Sequence, residues 1–401
     1  MAASKLNPDS RALLILLAAL VALGPLSIDM YLPAMPTMMA AFDTDIGAIH
    51  LTMSAYLAGF ALFHLVCGPL ADRFGRRPVL LAGTVLFVAA CIGCSMSTTV
   101  EHMLGFRFLQ GIGACVGPTL ARTVTRDVFG PTRAARALSL IAMLMALAPA
   151  IAPGIGGVML LVLPWNSIFY FLACYGALML ALVHFFLAET LPQRQSLHPL
   201  SIARNFGKLL LDPVYVCATV ASGLMYAGLM AYLASSSFVY IDMLGMSVQY
   251  FGLVFLTTVI GYMAGSALSA RLSLDYASSQ VMLVGGVLGF VAALLMTAGH
   301  LRWPDSVAAL ALPTALFSTA LGLVLPHAMA VALEHYPHMA GTASSLLGFI
   351  QMSLSAASSA LAGQLLADTP MPMLWIMIVI TALGLLLAFQ VYRQQSAAGA
   401  T

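Results

Sequence analysis

Charged residues are scarce in this chain. Of its 401 residues only 7% are Asp, Glu, Lys or Arg and 61% are hydrophobic, whereas roughly 25% of the residues in an ordinary soluble domain are charged. With a mean hydropathy of +0.99, the composition excludes a water-soluble fold and indicates solvation by lipid. Because the apolar runs lack the polar–apolar alternation of a membrane β-barrel, the sequence predicts an all-α membrane protein.

Cysteine and concentrated positive charge are also scarce. The six cysteines lie in or beside apolar runs, which is typical of small buried side chains rather than of a disulfide framework. Cys91 and Cys94 share a helix face, but no further ligands accompany them, so we expect no metal site. The formal net charge is only +2 and the positive residues are dispersed, so we expect no nucleic-acid partner.

Motifs for covalent or nucleotide chemistry are missing as well. The sequence contains no phosphate-binding loop, no nucleophile elbow and no zincin pattern. ATP hydrolysis and covalent catalysis therefore have no support in the sequence, and we expect neither an enzyme nor a bound cofactor.

One dense charged segment interrupts the apolar sequence at residues 68–80, which read Gly-Pro-Leu-Ala-Asp-Arg-Phe-Gly-Arg-Arg-Pro-Val-Leu. Charges are costly in hydrocarbon, so this segment predicts a turn between two membrane helices. Lys and Arg of short loops accumulate on the cytoplasmic face of a membrane. The turn is therefore expected in the cytoplasm, and the direction of every other helix follows from it.

The apolar runs predict twelve membrane helices when about 20 residues are allowed for each span. They lie near residues 12–40, 49–70, 79–98, 102–126, 135–162, 167–188, 212–237, 248–270, 279–299, 306–330, 339–362 and 373–393. With the charged turn inside, both termini are cytoplasmic, and every Lys and Arg except Arg107 and Arg302 falls on that side. We therefore predict a multi-pass protein of the inner (plasma) membrane.

The longest loop, Ala188–Leu211, divides the twelve helices into two sets of six. Residues 265–275 follow the eighth helix as the charged turn follows the second, although only Arg271 and the spacing are retained. Two such pseudo-repeats are typical of secondary transporters. The predicted domains are a six-helix bundle at 1–188, a cytoplasmic linker at 189–211 and a second six-helix bundle at 212–401.

Two opposite charges are predicted inside the membrane. Asp29 is the only acidic residue in the interior of a predicted span, and Arg107 lies near the outer end of the fourth. At 1.5 Å per residue, Asp29 is roughly 27 Å beyond Arg11 and Arg107 is roughly 8 Å deep, so both lie in the outer half of the membrane. An arginine neighbour keeps a carboxylate deprotonated and separation favours proton uptake, which predicts a coupling or substrate site. The alternative is a structural ion pair between two helices.

Several motifs resemble a known family. The charged turn resembles the loop signature of the major facilitator superfamily, G-x-L-a-D-R-x-G-R-R-x-x-L, in Gly68, Leu70, Asp72, Arg73, Gly75, Arg76, Arg77 and Leu80. The segment 104–114, which includes Gln110, resembles the fourth-helix signature of proton-coupled members. The fifth helix resembles the antiporter signature, with Ala148 and Ala152 where the family prefers glycine. With the segments 27–36 and 122–127, the chain resembles the Bcr/CflA (bicyclomycin- and chloramphenicol-resistance) drug efflux group.

This resemblance implies the major facilitator fold and a proton-coupled antiporter that exports drugs or amphipathic metabolites by alternating access. The proton gradient would be its energy source, and small amphipathic molecules, protons and lipid would be its partners. We expect it to act as a monomer. Uptake through the same fold is the alternative, and a polytopic membrane enzyme or a receptor is a further one.

Three groups of residues complete the prediction. Asp72, Arg76 and Asp127, at cytoplasmic helix ends, are expected to form a gate with Gly68, Arg73, Gly75 and Arg77, the alternative being membrane orientation alone. A bent, closely packed fifth helix is expected from Pro149, Pro153, Gly154, Gly156 and Gly157. A pocket with polar handles is expected from Tyr31, Tyr56, Tyr226, Tyr232 and Gln351. We interpret His64 and His327 as interhelical hydrogen-bond partners rather than proton carriers.

Overall fold

The computed structural model describes residues 11–145, 147–191, 199–336, 339–366 and 369–398. Within these ranges the chain folds into helices joined by short turns and contains no strand. Ten helical segments of this part are long and apolar enough to cross a membrane, which confirms an all-helical, multi-pass membrane protein. The count of twelve and the two repeats stay predictions, and both chain ends lie outside the described residues.

The described part of the first half contains seven α-helices. They are α1 (Arg11–Asp29), α2 (Met35–Ala41), α3 (Ile46–Phe74), α4 (Arg76–Ser95), α5 (Val100–Met145), α6 (Leu147–Met159) and α7 (Ser167–Phe186). Helix α1 packs against α5, α6 and α7, and α4 packs against α5 and α7.

The second half begins within the predicted linker. Its helices are α8 (Pro199–Leu210), α9 (Pro213–Ser237), α10 (Val248–Leu272), α11 (Ser278–Arg302), α12 (Val307–Glu334), α13 (Ala340–Leu365) and α14 (Met371–Ala398). Helix α9 continues into a short π-helix, Phe238–Met243. It packs against α12, α13 and α14, while α12 packs against α10 and α11.

Contacts between residues divide the chain into two compact units. Unit 1 comprises Met1–Thr44 and Ala55–His198, and unit 2 comprises Asp45–Ser54 and Pro199–Thr401. The first turns of α3 therefore belong to unit 2, while the rest of that helix belongs to unit 1. Sequence order alone gives no sign of this exchange.

The first predicted span is a single apolar run but not a single helix. Helix α1 ends at Asp29, a 3-10 turn covers Leu32–Ala34, and α2 starts at Met35. Pro33 has no backbone N–H and disfavours a helical conformation in the residue before it. The span predicted over 12–40 is therefore present as one apolar stretch, but the prediction of a single continuous helix was wrong, and the break directly follows Asp29.

Two predicted loops contain helix instead. The loop expected near residues 127–134 is wrong, because α5 continues through it to Met145. Polar side chains end a membrane span, but a helix that leaves the lipid keeps its own hydrogen bonds and need not end. Likewise the linker predicted at 189–211 holds α8 in its second part, while residues 192–198 lie outside the described residues.

Candidate functional site

Arg107 is the largest fully buried side chain in the described structure. Its guanidinium carbon lies 4.3 Å from the ring centre of Tyr31 and 4.5 Å from that of Tyr56. Its Nη1 donates to the carbonyl oxygen of Ser27 at 3.2 Å and to Oε1 of Gln110 at 2.6 Å. The cation is thus held by two aromatic faces and two neutral oxygens.

The end of α1 supplies one of these oxygens. Ser27 lies in the last four residues of α1, whose carbonyl oxygens have no intrahelical partner. The break after Asp29 therefore frees backbone acceptors inside the protein, and Arg107 takes one of them. The same proline that ends the helix, Pro33, thus helps to create the binding position for the arginine.

Close packing of α3 on α5 brings Tyr56 to this position. A Cβ atom at Gly59 would strike the carbonyl of Phe108, and one at Gly111 would strike the carbonyl of Tyr56. Two helix backbones can approach this closely only where side chains are absent. The hydroxyl of Tyr56 in turn donates to the carbonyl oxygen of Gly24 at 3.3 Å.

Gln110 connects the arginine to a cysteine. Its Nε2 donates to Sγ of Cys91 at 3.0 Å, while its Oε1 accepts from Arg107. The structure therefore brings together Arg107, Gln110, Tyr31 and Tyr56, four residues predicted for the site. Cys91 was predicted only as a small buried side chain, and no group of three potential metal ligands occurs in the described ranges.

Asp29 is buried next to this cluster but is not ion-paired. Only 4% of the residue is exposed, and it is the last residue of α1. Both ion pairs found among the described residues involve Arg76 instead. The structure therefore shows no direct bond between Asp29 and Arg107, and the arginine's Nε and Nη2 have no hydrogen-bond partner there.

The charged turn forms a second cluster around Arg76. Nη1 of Arg76 lies 2.5 Å from Oδ1 of Asp72, and its Nε lies 3.2 Å from Oδ2 of Asp127. Helices α3 and α4 are separated only by Gly75, whose φ of 110° favours glycine. Three of the predicted gate residues are thus brought into direct contact.

Glu189, which the prediction missed, completes this cluster. Its Oε1 accepts from the backbone N–H of Arg76 at 2.9 Å, and its Oε2 accepts from that of Arg77 at 3.3 Å. The carboxylate therefore lies at the N-terminus of α4, where a negative charge is favoured. Its neighbour Thr190 donates to Oδ2 of Asp127 at 3.4 Å.

The other predicted turn residues have different contacts. Nη2 of Arg77 donates to the carbonyl oxygen of His184, near the end of α7, at 2.6 Å. Arg73 is exposed and lies over the ring of Phe74, with 5.4 Å to the ring centre. Gly68 lies within α3, nearly two turns before the helix ends. Arg73 and Gly68 are therefore not in the ion-pair network.

The fifth-helix motif lies on α6. A Cβ at Gly156 would lie 2.5 Å from the carbonyl oxygen of Met30, so this glycine permits close packing against the break after α1. A Cβ atom at Gly154 would meet no neighbouring heavy atom within 4 Å among the described residues, so the close packing predicted at this glycine is wrong. Pro153 and Gly157 are buried, and Pro149 lies in the first turn of α6, where proline is tolerated.

The remaining pocket residues lie in unit 2. Tyr232 is buried, and its hydroxyl is 3.0 Å from that of Tyr240 in the π-helix. Tyr226 is half-buried on α9, and Gln351 is half-buried on α13. His327 is buried, and its Nε2 has no hydrogen-bond partner among the described residues.

Comparison with known proteins gives concordant matches. A family model described as Major Facilitator Superfamily matches residues 17–360. An uncharacterized MFS-type transporter, YdgK, of Bacillus subtilis (strain 168) is 32% identical over 97% of this chain and 98% of its own length.

Two further relatives have names that refer to resistance. A bicyclomycin resistance protein homolog of Haemophilus influenzae is 29% identical over 90% of this chain and 91% of its own. The multidrug resistance protein MdtL of Shigella dysenteriae serotype 1 is 31% identical over 83% of this chain and 84% of its own.

One solved structure shows the same fold. The crystal structure of a D-xylose-proton symporter matches with a TM-score of 0.73 at 15% identity, covering 96% of this chain and 98% of that one. At that identity the likeness concerns the fold alone.

Proposed function

Because the chain belongs to the Major Facilitator Superfamily, we propose that this transporter is a proton-coupled antiporter that exports drugs or amphipathic metabolites across the inner membrane. Membership of this family makes it a transporter rather than an enzyme. Relatives named for bicyclomycin and multidrug resistance, at 29–31% identity over most of their length, support export rather than uptake.

The arrangement of Asp29 and Arg107 is the observation on which this proposal rests. Both are buried, Asp29 is the last residue of α1 while Arg107 binds the carbonyl oxygen of Ser27 in the same turn, and no ion pair joins the two among the described residues. Arg107 keeps two N–H-bearing nitrogens without a partner among the described residues. Unpaired buried ionisable groups are costly, so we take this arrangement as one step of a cycle.

The coupling step follows from these contacts. A protonated Asp29 carries no charge and needs no counter-ion in this arrangement. When the end of α1 moves Asp29 to the free N–H groups of Arg107, the carboxyl group loses its proton to water and the carboxylate pairs with the guanidinium. A substrate that occupies the N–H groups of Arg107 competes with this pairing, which links substrate binding to protonation.

The gate and the pocket complete the proposed cycle. Arg76 holds Asp72 on α3 and Asp127 on α5 together, and breaking these pairs would let the cytoplasmic ends of the helices separate. Within each unit, aromatic and amide side chains supply the contacts that we propose for the substrate. They are Tyr31 and Tyr56 in unit 1 and Tyr226, Tyr232 and Gln351 in unit 2.

Asp29→Asn tests the proposed coupling. The amide keeps the shape and hydrogen-bonding capacity of the carboxyl group but does not titrate. We expect drug-induced proton release from inverted vesicles to be abolished, while energy-independent drug binding is retained. Drugs from a susceptibility panel that the wild-type protein renders less toxic serve as substrates.

Asp43→Asn is the matched control. Asp43 is exposed and adopts a positive φ of 51°, a conformation that asparagine also tolerates. The Asp43→Asn variant should show the same drug-induced proton release as the wild type. Undiminished proton release from Asp29→Asn vesicles would eliminate Asp29 as the carrier.

A further inference from the structure

His50 occupies a closely fitted position at the start of α3, within unit 2. The residue is fully buried, and its Nδ1 lies 3.2 Å from the carbonyl oxygen of Ser359 on α13. Its ring stacks on Phe238, the first residue of the π-helix, with 5.5 Å between ring centres and 27° between planes. Three separate elements therefore meet at one imidazole.

A glycine makes room for this ring. Gly363 follows Ser359 by one turn on α13, and a Cβ atom there would overlap the side chain of His50. One turn earlier on α3, a Cβ at Gly47 would lie 2.9 Å from Nε2 of Gln364. The start of α3 thus docks on α13 through two positions that lack side chains.

The docked histidine leaves polar atoms without partners. Nε2 of His50 and Oγ of Ser359 have no hydrogen-bond partner among the described residues, and both residues are 0% exposed. The same holds for Oγ of Ser235, three residues before Phe238 and thus on the same helix face. Buried polar groups usually bond to protein or ordered water. The unpaired atoms at this position can therefore form hydrogen bonds with a further polar group.

Within the described residues, no counter-charge contacts the imidazole. The nearest acid along the chain is Asp45, the residue before α3, which is exposed and accepts from the N–H of Ala48 at 2.8 Å. Helix α13 contains no Asp, Glu, Lys, Arg or His from Ala340 to Leu365. A charged imidazolium there would also face the positive N-terminal end of α3.

The π-helix supplies two titratable groups beyond Phe238. Tyr240 is buried and shares a hydrogen bond with Tyr232, and Asp242 is exposed. No ion pair joins Asp242 to His50 within the described part of the chain. The docked position therefore suits a neutral ring whose Nδ1–H donates to Ser359, with the Nε2 lone pair open.

We propose that His50 is a second protonation site of this transporter, whose neutral ring docks the start of α3 on α13 and whose protonation releases it. The proton comes from water and adds to the Nε2 lone pair, the ring gains one positive charge, and the Nδ1–H···O bond to Ser359 is broken as the ring leaves. No covalent bond to carbon forms or breaks. The proposal rests on proton-coupled transport for its role in the cycle, and the loop before α3 is predicted to face outside.

The direction of the pH effect follows from this charge balance. The docked state binds one proton fewer than the released state, so docking is fully present when histidine is neutral. Docking is lost as the pH falls below about 6.5, where a solvated histidine takes up its proton. An acidic exterior would therefore favour the released state.

Hydrogen–deuterium exchange of the full-length protein in lipid nanodiscs tests the proposal without any substrate. After correction for intrinsic exchange rates, we expect protection of residues 46–54 and 355–364 to fall about tenfold between about pH 8 and about pH 5. That factor corresponds to one unit of differential proton affinity between the two states. In His50→Gln, which cannot titrate, protection of both segments should not depend on pH.

Two further variants keep the test decisive. His102→Gln removes an exposed histidine at the start of α5 and should retain the wild-type pH dependence. Gly363→Ala fills the space of the imidazole while leaving His50 in place, and both segments should exchange rapidly at every pH. This variant supplies the test if His50→Gln does not fold.

Two results would overturn the proposal. One is a wild-type protein whose protection in these segments does not change with pH, and the other is the same pH dependence in His50→Gln as in the wild type. Failure of the antiport proposal would give a different result. Drug-induced proton release would then be missing, while the hydrogen–deuterium exchange of residues 46–54 would still depend on pH and on His50.

Discussion

At the scale of single residues, Arg107 shows how a buried cation is held without a carboxylate. Two tyrosine faces lie within 4.5 Å of its guanidinium carbon, and a desolvated cation–π contact contributes about 2 kcal/mol or more. Two neutral oxygens take hydrogen bonds from Nη1. These contacts offset only part of the cost of burying the charge, so the remaining N–H groups are available to a partner that arrives during transport.

Arg107→Lys tests whether the flat guanidinium itself is required. Lysine keeps the charge but loses the planar group that lies between Tyr31 and Tyr56 and also reaches Ser27 and Gln110. We expect drug export to fall by about tenfold or more, since about 1.4 kcal/mol of lost stabilisation corresponds to that factor. Efflux of a fluorescent substrate from loaded cells, normalised to the amount of protein in the membrane, gives the measurement.

Arg302→Lys is the appropriate control for this exchange. Arg302 also lies over an aromatic ring, that of Trp303 at 5.4 Å, but it is exposed. Its replacement should leave export unchanged. If Arg107→Lys exported at the wild-type rate, charge alone would suffice at this position and the role of the two rings would be refuted.

At the scale of elements, the turn between α3 and α4 is a junction of three helices. Gly75 alone separates α3 from α4, and the carboxylate of Glu189 caps the first two N–H groups of α4 from beyond the end of α7. Arg77 binds the carbonyl oxygen of His184 near that end. The start of α4 therefore donates three hydrogen bonds to the end of α7 and to the residue Glu189 that follows it.

Glu189→Gln should weaken this junction. A negative charge at a helix N-terminus contributes about 0.3–1 kcal/mol when exposed and up to about 2 kcal/mol when partly buried. We therefore expect trypsin to cleave after Arg73 or Arg76 several-fold faster in inside-out vesicles. Glu334→Gln, at the end of α12 where Glu334 accepts from Gln395, should leave this cleavage unchanged. Equal cleavage rates in Glu189→Gln and wild type would show that the cap does not hold the turn.

The sequence predicts contacts between near neighbours better than contacts between distant segments. Asp72 and Arg76 are four residues apart in the sequence, and their charges and the family signature predicted the cluster in which the structure brings them together. Glu189 follows Arg76 by 113 residues, and nothing in its local sequence distinguishes it from any acidic residue in a loop. A helix N-terminus at Arg76 indicates that an anion is favoured there, but not which one.

Close packing between helices was predicted correctly at some positions and wrongly at others, because it too depends on contacts between distant segments. Gly154 and Gly156 are equivalent in the motif, yet only Gly156 meets another backbone, because that depends on where the break after α1 lies in space. Nothing near His50 in the sequence predicts its position, since its contacts Phe238 and Ser359 are 188 and 309 residues away along the chain. Composition and periodicity determined the helices, and only three-dimensional packing determined their partners.

At the scale of the whole molecule, the two units differ in the chemistry of their interiors. Asp29, Arg76 and Arg107 are buried in unit 1. In the described part of unit 2, the buried polar residues are serines, threonines and two histidines, His50 and His327. The turn from α10 to α11 corresponds in the predicted repeat to the charged turn, but no ion pair is found there among the described residues. The buried acid and arginines of the described residues therefore all lie in unit 1, whereas unit 2 contributes neutral hydrogen-bonding groups together with His50, the proposed second protonation site.

The last prediction concerns the number of membrane crossings. Ten described segments are long and apolar enough to span a membrane, and twelve crossings require α5 and α6 to supply two more. Reporter fusions should therefore place both termini and the 189–211 segment in the cytoplasm, and residues 43–48, 160–166 and 300–305 outside. Alkaline phosphatase, active only outside, and green fluorescent protein, fluorescent only inside, give opposite readings at each position.

The decisive pair of positions is 128–134, expected inside, and 160–166, expected outside, because α5 shows no break at residues 128–134. If both lay inside, α5 and α6 together would cross only once, the C-terminus would lie outside, and the two-repeat prediction would be refuted.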